Sequence, residues 1–265
     1  MNAPWIEKLR AWMQQGADMS LAVAELRQLG IPDTAIVAAL EQIQPRGDAL
    51  ANGPLHAPPL IQRAPPNLRR LEAAFPLYTL TEFLRPEECA ALIELTARRL
   101  APSPLTQSHY DQAFRTSSTA NLYEIDHDLA REVDHRICVT MGIRASYSEG
   151  IQAQRYEAGQ QFKPHLDAFE PGSNVYQRFA GLRGNRTWTF MVYLNEGMDG
   201  GATIFNIANH AIQPRTGMAL LWYNLNDEGA PNKQTLHSGE PVTRGCKIIL
   251  TKWFRTRGDG PVLQG

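Results

Sequence analysis

Cysteine is scarce in this 265-residue chain. Cys89, Cys138 and Cys246 are widely spaced and odd in number, with no CxxC pair, so neither a disulfide framework nor a zinc knuckle is written here. An excess of charge of either sign is missing as well. Lys and Arg number 26 against 27 Asp and Glu, a formal net charge of −1, which leaves no electrostatic footprint for nucleic acid or an anionic membrane surface. No apolar run reaches the length of a bilayer span, and the first residues, Met1 to Glu7, lack the basic-then-apolar layout of a signal peptide. What is present is 43% apolar and 20% charged, the composition of an ordinary folded protein with chain enough for a full core. The expectation is a cytoplasmic protein with no nucleic acid and no membrane among its partners. Its oligomeric state is left open.

Residues 1–45 read as a helical N-terminal region. Trp5, Leu9 and Trp12 fall on one helical face, Leu21, Leu26 and Leu29 more loosely on a second, and Ile36, Leu40 and Ile43 on a third. Ser20 suits an N-cap, Gly30 a helix end, and Asp33 a helix start after Pro32. A unit this small makes a marginal core alone, so it is expected either to dock on the main domain or to serve a partner or substrate protein. Residues 46–72 carry Pro54, Pro58, Pro59, Pro65 and Pro66 with Gly47 and Gly53. That many prolines sustain neither a helix nor an interior strand, and the segment reads as a linker or a surface strap.

From residue 73 to 265 the pattern turns mixed and then mainly β. Pro86 followed by Glu87 and Glu88 opens a helix, and Leu129, Val133 and Ile137 mark a second over 126–141. β-rich runs follow at 151–156, 187–194, 202–207, 218–223 and 247–254, punctuated by Gly, Pro and Asn. Helices first and many short strands afterwards predict an α+β layout built on a sandwich or jelly roll.

His165-Leu166-Asp167 sets an imidazole and a carboxylate two residues apart. On a strand both point to one face and can reach one cation. Two histidines and one carboxylate on one face leave three adjacent positions open, the arrangement of non-haem Fe(II) oxygenases. His237 is the candidate second histidine. The H-x-D frame is weak alone: seven His and eleven Asp in 265 residues yield about 0.3 such pairs by chance. A second one, His109-Tyr110-Asp111, does occur, in a polar stretch rich in Pro, Ser and Gln. His165 instead follows Tyr156-Glu157-Ala158-Gly159-Gln160, where a strand ends and Gly159 permits a turn before the pair.

These residues carry a resemblance. From about 73 to 257 the chain resembles the prolyl 4-hydroxylase-type branch of the 2-oxoglutarate- and Fe(II)-dependent dioxygenases. The segments are, in order, Arg115-Thr116-Ser117, Gln154 to Gln160, His165-Leu166-Asp167, Asn185-Arg186 and Val192-Tyr193-Leu194-Asn195. Gly200 to Phe205, Trp222-Tyr223-Asn224, His237 to Val242 and Gly245-Cys246-Lys247 complete them. Each is short; their shared order carries the resemblance.

The resemblance implies a double-stranded β-helix, a jelly roll with iron in its mouth. His165, Asp167 and His237 map onto the iron ligands and Lys247 onto the cation for the distal carboxylate of 2-oxoglutarate. Tyr156 maps onto a hydroxyl donor to that cosubstrate, with Thr203 as a weaker one. Arg115 maps onto a loop lining the substrate groove, and Trp222 and Tyr223 are candidates for the proline-ring site, although core packing explains at least one of them. Arg178, Arg183 and Arg186, with Gly181 and Gly184 between, read as a basic loop that either closes as a lid or stays exposed. The implied cofactors are Fe(II), 2-oxoglutarate and O2, with ascorbate as a candidate reductant. The implied reaction hydroxylates an unactivated C–H, foremost C4 of a peptidyl proline in a partner protein, and releases succinate and CO2. A free amino acid or small metabolite is the alternative substrate, and a non-catalytic metal-binding jelly roll the alternative class. Halogenating relatives lack the carboxylate, so Asp167 favours hydroxylation. Ile248 departs from the family's usual Trp after the lysine, and Gly229 to Lys233 replace an acid-containing loop.

Overall fold

A computed structural model describes residues 3–14, 25–32, 35, 36, 39, 55–104 and 114–263. The frame is an eight-stranded antiparallel sheet in the order β1-β2-β11-β7-β14-β5-β4-β3. Its central members are β5 (Gln152–Glu157), β7 (Arg186–Tyr193), β11 (Ala219–Tyr223) and the long β14 (Cys246–Arg255). β2 (Leu77–Leu80) pairs with β11, and β1 (Leu68–Arg70) forms the edge. β3 (Ala101–Pro102) and β4 (Ser118–Asn121) close the other side. A second sheet runs β10-β9-β12-β6, from β6 (Phe162–His165), β9 (Thr203–Phe205), β10 (His210–Ile212) and β12 (His237–Gly239), and β8 (Asp199–Gly200) pairs with β13 (Val242–Arg244).

Alternation on the large sheet assigns each strand two duties. Trp188, Phe190 and Val192 of β7, with Leu221 and Tyr223 of β11 and Leu250 and Phe254 of β14, turn to one face and form the main core. Helices α3 (Pro86–Ala97) and α4 (Asp128–Met141) cover that face with Cys89, Leu92, Val133, Ile137 and Met141. Met191, Tyr193, Leu220, Trp222 and Ile249 turn the other way and meet Phe205 of the small sheet. Two sheets packed through inner faces of this kind make the jelly roll that the resemblance implies.

The proline-rich segment is packed where it is described. Pro59 opens α2 (Pro59–Gln62). Leu55 and Leu60 are buried in the main core, and Leu55 O accepts a hydrogen bond from Trp188 Nε1 at 2.5 Å. At the N-terminus, α1 (Pro4–Gln14) buries Leu9 against Leu26, Ile36 and Ala39, and Leu182 of the main domain packs on this cluster. Leu29 faces outward and is 61% exposed, in the turn that ends the helix at Gly30, whose φ is +78°. Ser20, Asp33, Leu21, Leu40 and Ile43 lie outside the described residues, as does the His109-x-Asp111 pair. Burying Leu9, Leu26 and Ile36 contributes about 1.5–3 kcal/mol each. Ordering each residue of such a unit costs about 1–2 kcal/mol, and the contact with Leu182 adds apolar burial against that cost. Among the described residues no helix is long and apolar enough to cross a membrane.

Gly217 marks a tight point between layers. Its φ is +76°, its carbonyl accepts from Phe83 N and Leu84 N, and an added Cβ would come within 2.0 Å of Leu84 O. Gly217→Ala is therefore expected to cost about 1–3 kcal/mol, read as a fall of several degrees in Tm in a thermal unfolding scan.

Candidate metal centre and cosubstrate pocket

β6 and β12 pair antiparallel with His237 opposite His165, so sheet register alone brings the two imidazoles together. Asp167 follows two residues after His165. The three side chains place one ligating atom each within 4.8 Å of one another, and they are the one such group among the described residues. His165 Nδ1 meets Lys163 O at 2.8 Å, and His237 Nδ1 meets Thr235 O at 2.9 Å. A carbonyl only accepts, so both Nδ1 atoms carry the proton and both Nε2 lone pairs are left for a cation. The Nε2 atoms stand 3.7 Å and 3.9 Å from the Asp167 carboxylate.

At His165 and Asp167 the surroundings favour the ligating form. Burial, followed by the nearby His237, pushes His165 down to about 3. Burial works to raise the Asp167 carboxyl, but His237, His165, Arg186 and the Thr189 hydrogen bond outweigh it and hold the group below its usual range. Two imidazoles and one carboxylate fit a divalent transition metal with open positions. Phe162 stacks on the His165 ring at 3.6 Å, while Trp222 lies edge-on to His237 at 4.8 Å. These rings restrict the ligands' rotation.

Lys247 lies on the inner face of β14 and is 3% exposed. Its Nζ donates to Thr203 Oγ1 at 3.3 Å, and among the described residues no carboxylate pairs with it. Burial pushes its pKa down to about 7, with Glu240 opposing weakly. A buried ammonium with one neutral partner calls for an anion. Tyr193 donates to the same Thr203 oxygen at 2.8 Å, and Tyr156 and Tyr193 set their rings 5.6 Å from Nζ. This cradle suits a carboxylate tail.

Other expected residues divide. Tyr156 stands beside Lys247 and donates its hydroxyl to Gln154 Oε1 at 3.1 Å; burial raises its pKa against the pull of Arg115. Arg115 bonds Ser117 and Thr119 and lies 4.9 Å over the Phe162 ring, at the rim of the centre. Trp222 is on the inner face, 1% exposed and packed on the His237 ring. Tyr223 is not at the site. One residue along β11 it turns to the opposite face, fully buried against Trp188 and His56. The basic loop is not an exposed lid throughout. Arg183 is 3% exposed and donates to Ser146 O and Ser148 O, while Arg186 grips both Glu149 oxygens at 2.6 and 2.8 Å. Burial raises Glu149, but Arg186 and Arg255 bring it to about 2.

Sequence reasoning missed Thr189, Asn224 and Tyr193 as site residues. Period-two counting along β7 places Thr189 and Tyr193 on the inner face with Met191, which is the signal that finds them.

The sequence pattern of the 2OG-Fe(II) oxygenase superfamily matches residues 151–255, a span holding His165, Asp167, His237 and Lys247. Residues 151–255 belong to that superfamily. Within it, prolyl 4-hydroxylase subunit alpha-2 of Gallus gallus is 32% identical over 163 residues, covering 62% of this chain and 30% of the relative. Probable prolyl 4-hydroxylase 3 of Arabidopsis thaliana is 31% identical over 195 residues, covering 65% of this chain and 66% of that protein. The chain thus spans less than two thirds of these relatives' lengths. Among solved structures, the viral collagen prolyl hydroxylase of Paramecium Bursaria Chlorella virus-1, in its 2OG complex, aligns with a TM-score of 0.54 at 24% identity. That alignment covers 68% of this chain and 95% of the viral protein, and it shares the oxygenase jelly roll.

In this oxygenase the donor set fits Fe(II), which His165, Asp167 and His237 would hold. Lys247, with Thr203 and Tyr193 behind it, would receive the distal carboxylate of 2-oxoglutarate.

Proposed function

We propose that this oxygenase hydroxylates a peptidyl proline at C4 and consumes 2-oxoglutarate and O2 as it does so. The observation that carries catalysis, rather than metal storage, is Lys247. A protein that only held a metal would have no use for a buried ammonium beside it with no carboxylate partner among the described residues, whereas a keto-diacid cosubstrate supplies the missing anion. When bound, Fe(II) with 2-oxoglutarate and O2 supplies the oxidation of an unactivated C–H bond, the cosubstrate leaving as succinate and CO2. The chain's own residues position and shield. His165 and His237 present Nε2 because carbonyls hold their Nδ1 protons, and Phe162 and Trp222 restrict the rotation of the two rings.

The peptidyl substrate is supported by the relatives, which are named as prolyl 4-hydroxylases at 31–32% identity. Arg115 at the rim adds a donor able to hold a peptide carbonyl, supported by its place over Phe162. The test compares succinate release by the Fe(II)-loaded protein with proline-containing peptides, with free proline and with neither. Stimulation by peptides but not by free proline is the expected result. Stimulation by free proline alone would overturn the peptidyl reading and leave a small-molecule hydroxylase.

A further inference from the structure

The Asp167 carboxylate does not stand alone in its pocket. Thr189 Oγ1 donates to Asp167 Oδ2 at 2.6 Å, and Asn224 Nδ2 donates to Thr189 Oγ1 at 2.8 Å. Thr189 and Asn224 are fully buried and Asp167 is 6% exposed. Neighbouring strands hold both partners: Thr189 lies on β7, opposite Trp222 of β11, and Asn224 follows the end of β11. The Asn224 backbone is pinned at both ends, its N–H donating to Thr187 O at 2.7 Å and its carbonyl accepting from Asn232 N at 2.8 Å.

Proton counting gives this chain a direction. An ionised carboxylate only accepts and an amide NH2 only donates, while a threonine hydroxyl holds one proton. Set between an obligate donor and an obligate acceptor, Thr189 has to spend its proton on Asp167 Oδ2. The reverse amide orientation would set Asn224 Oδ1 and Asp167 Oδ2 in competition for that proton. Asn224 Oδ1 is buried with no hydrogen-bond partner among the described residues, so the amide is retained with one end unsatisfied and the other committed to Thr189. Such an arrangement costs stability, which sets it apart from ordinary core packing.

We infer that Thr189 and Asn224 are positioning residues for the metal centre: the relay Asn224–Thr189–Asp167 holds one carboxylate oxygen by hydrogen bonding and thereby fixes how Asp167 presents the other to the ion. The inference rests on the Fe(II) reading of the triad. Removing a partner one step behind a ligand typically weakens metal binding about 10- to 100-fold.

The test is anaerobic titration of the full chain with Fe(II) by calorimetry, with thermal unfolding of the metal-free proteins as the folding control. Thr189→Val keeps the shape and removes the hydroxyl, and it is expected to bind Fe(II) about 10- to 100-fold more weakly. Thr189→Ser restores the donor and should return affinity to within a few-fold of wild type, an outcome that a purely packing role for the methyl group would not give. Asn224→Leu should weaken binding in the same direction. Wild-type affinity in a folded Thr189→Val protein would overturn the relay, as would failure of Thr189→Ser to rescue. Wild-type affinity in Asn224→Leu would remove Asn224 from it. Asp167→Ala runs alongside: if it too binds Fe(II) as wild type does, the reading of the triad fails, not merely the relay.

Discussion

Asp167→Ala is expected to release no succinate above background while keeping the fold. The carboxylate brings the one negative charge to a donor set whose other members are imidazoles, so its loss removes both a ligand and the charge that opposes the cation. The fold should persist, because Asp167 lies between the sheets at the end of β6 and the main core on the other face of the large sheet is untouched. A readout independent of turnover separates loss of metal from loss of structure. At a metal concentration 100 times its Kd, binding stabilises the native state by about 2.7 kcal/mol. In a protein of this size that amounts to a rise of about 5–10 °C in Tm. Wild type should show the rise and Asp167→Ala should not, although their metal-free melting temperatures stay close. A metal-induced rise of the same size in the variant would remove Asp167 from the centre.

Lys247→Met should separate stability from cosubstrate binding in opposite directions. In the free protein the ammonium is buried with Thr203 as its hydrogen-bond partner, so an apolar chain of similar length should leave the metal-free fold as stable or more stable. With cosubstrate the sign reverses. Truncating one partner of a buried charge pair costs about 2–5 kcal/mol, so the 2-oxoglutarate requirement should rise by roughly 30-fold or more. The pH dependence follows from the depressed pKa. Between about 7 and its ordinary value near 10.5, Lys247 is neutral in the native state and protonated in the unfolded one. The unfolded state therefore binds more protons there, and the lysine's contribution to stability becomes more favourable as pH rises through that window. Affinity for 2-oxoglutarate should do the opposite and fall above pH 7, since only the ammonium attracts the carboxylate. Titrations of 2-oxoglutarate at pH 6.5 and 8.5 check this: wild type weakens at the higher pH and Lys247→Met does not change. An equal pH response in both proteins would detach Lys247 from the cosubstrate.

Much of this architecture is legible in the sequence because burial is written with strand period. The runs at 187–194, 218–223 and 247–254 coincide closely with β7, β11 and β14, and Pro86 and the Leu129, Val133, Ile137 spacing anticipate the two helices over the outer face. His165-x-Asp167 is readable as a local pair, but its union with His237 depends on β6–β12 register. Composition cannot express that register, and the order of family-like segments supplied it. Of the two aromatic candidates, Tyr223 is the one that core packing explains: adjacent strand residues face opposite ways, so Trp222 and Tyr223 cannot both line one face. Proline content concealed the packing of 55–72, since Leu55 and Leu60 bury their side chains without long regular structure. The Asn224–Thr189–Asp167 relay was hidden because it joins three distant positions through hydroxyl and amide groups, which periodicity does not register.

The most direct test of the central claim is a single anaerobically assembled reaction of protein, Fe(II), 2-oxoglutarate and a proline-containing peptide, opened to air, with succinate and hydroxylated peptide quantified together. The account predicts that the two products accumulate in equal amounts, the peptide gaining one oxygen atom at proline C4, and that both vanish in Asp167→Ala. Succinate formed without any oxidised peptide across a broad peptide panel, or oxidised peptide formed without 2-oxoglutarate, would contradict it.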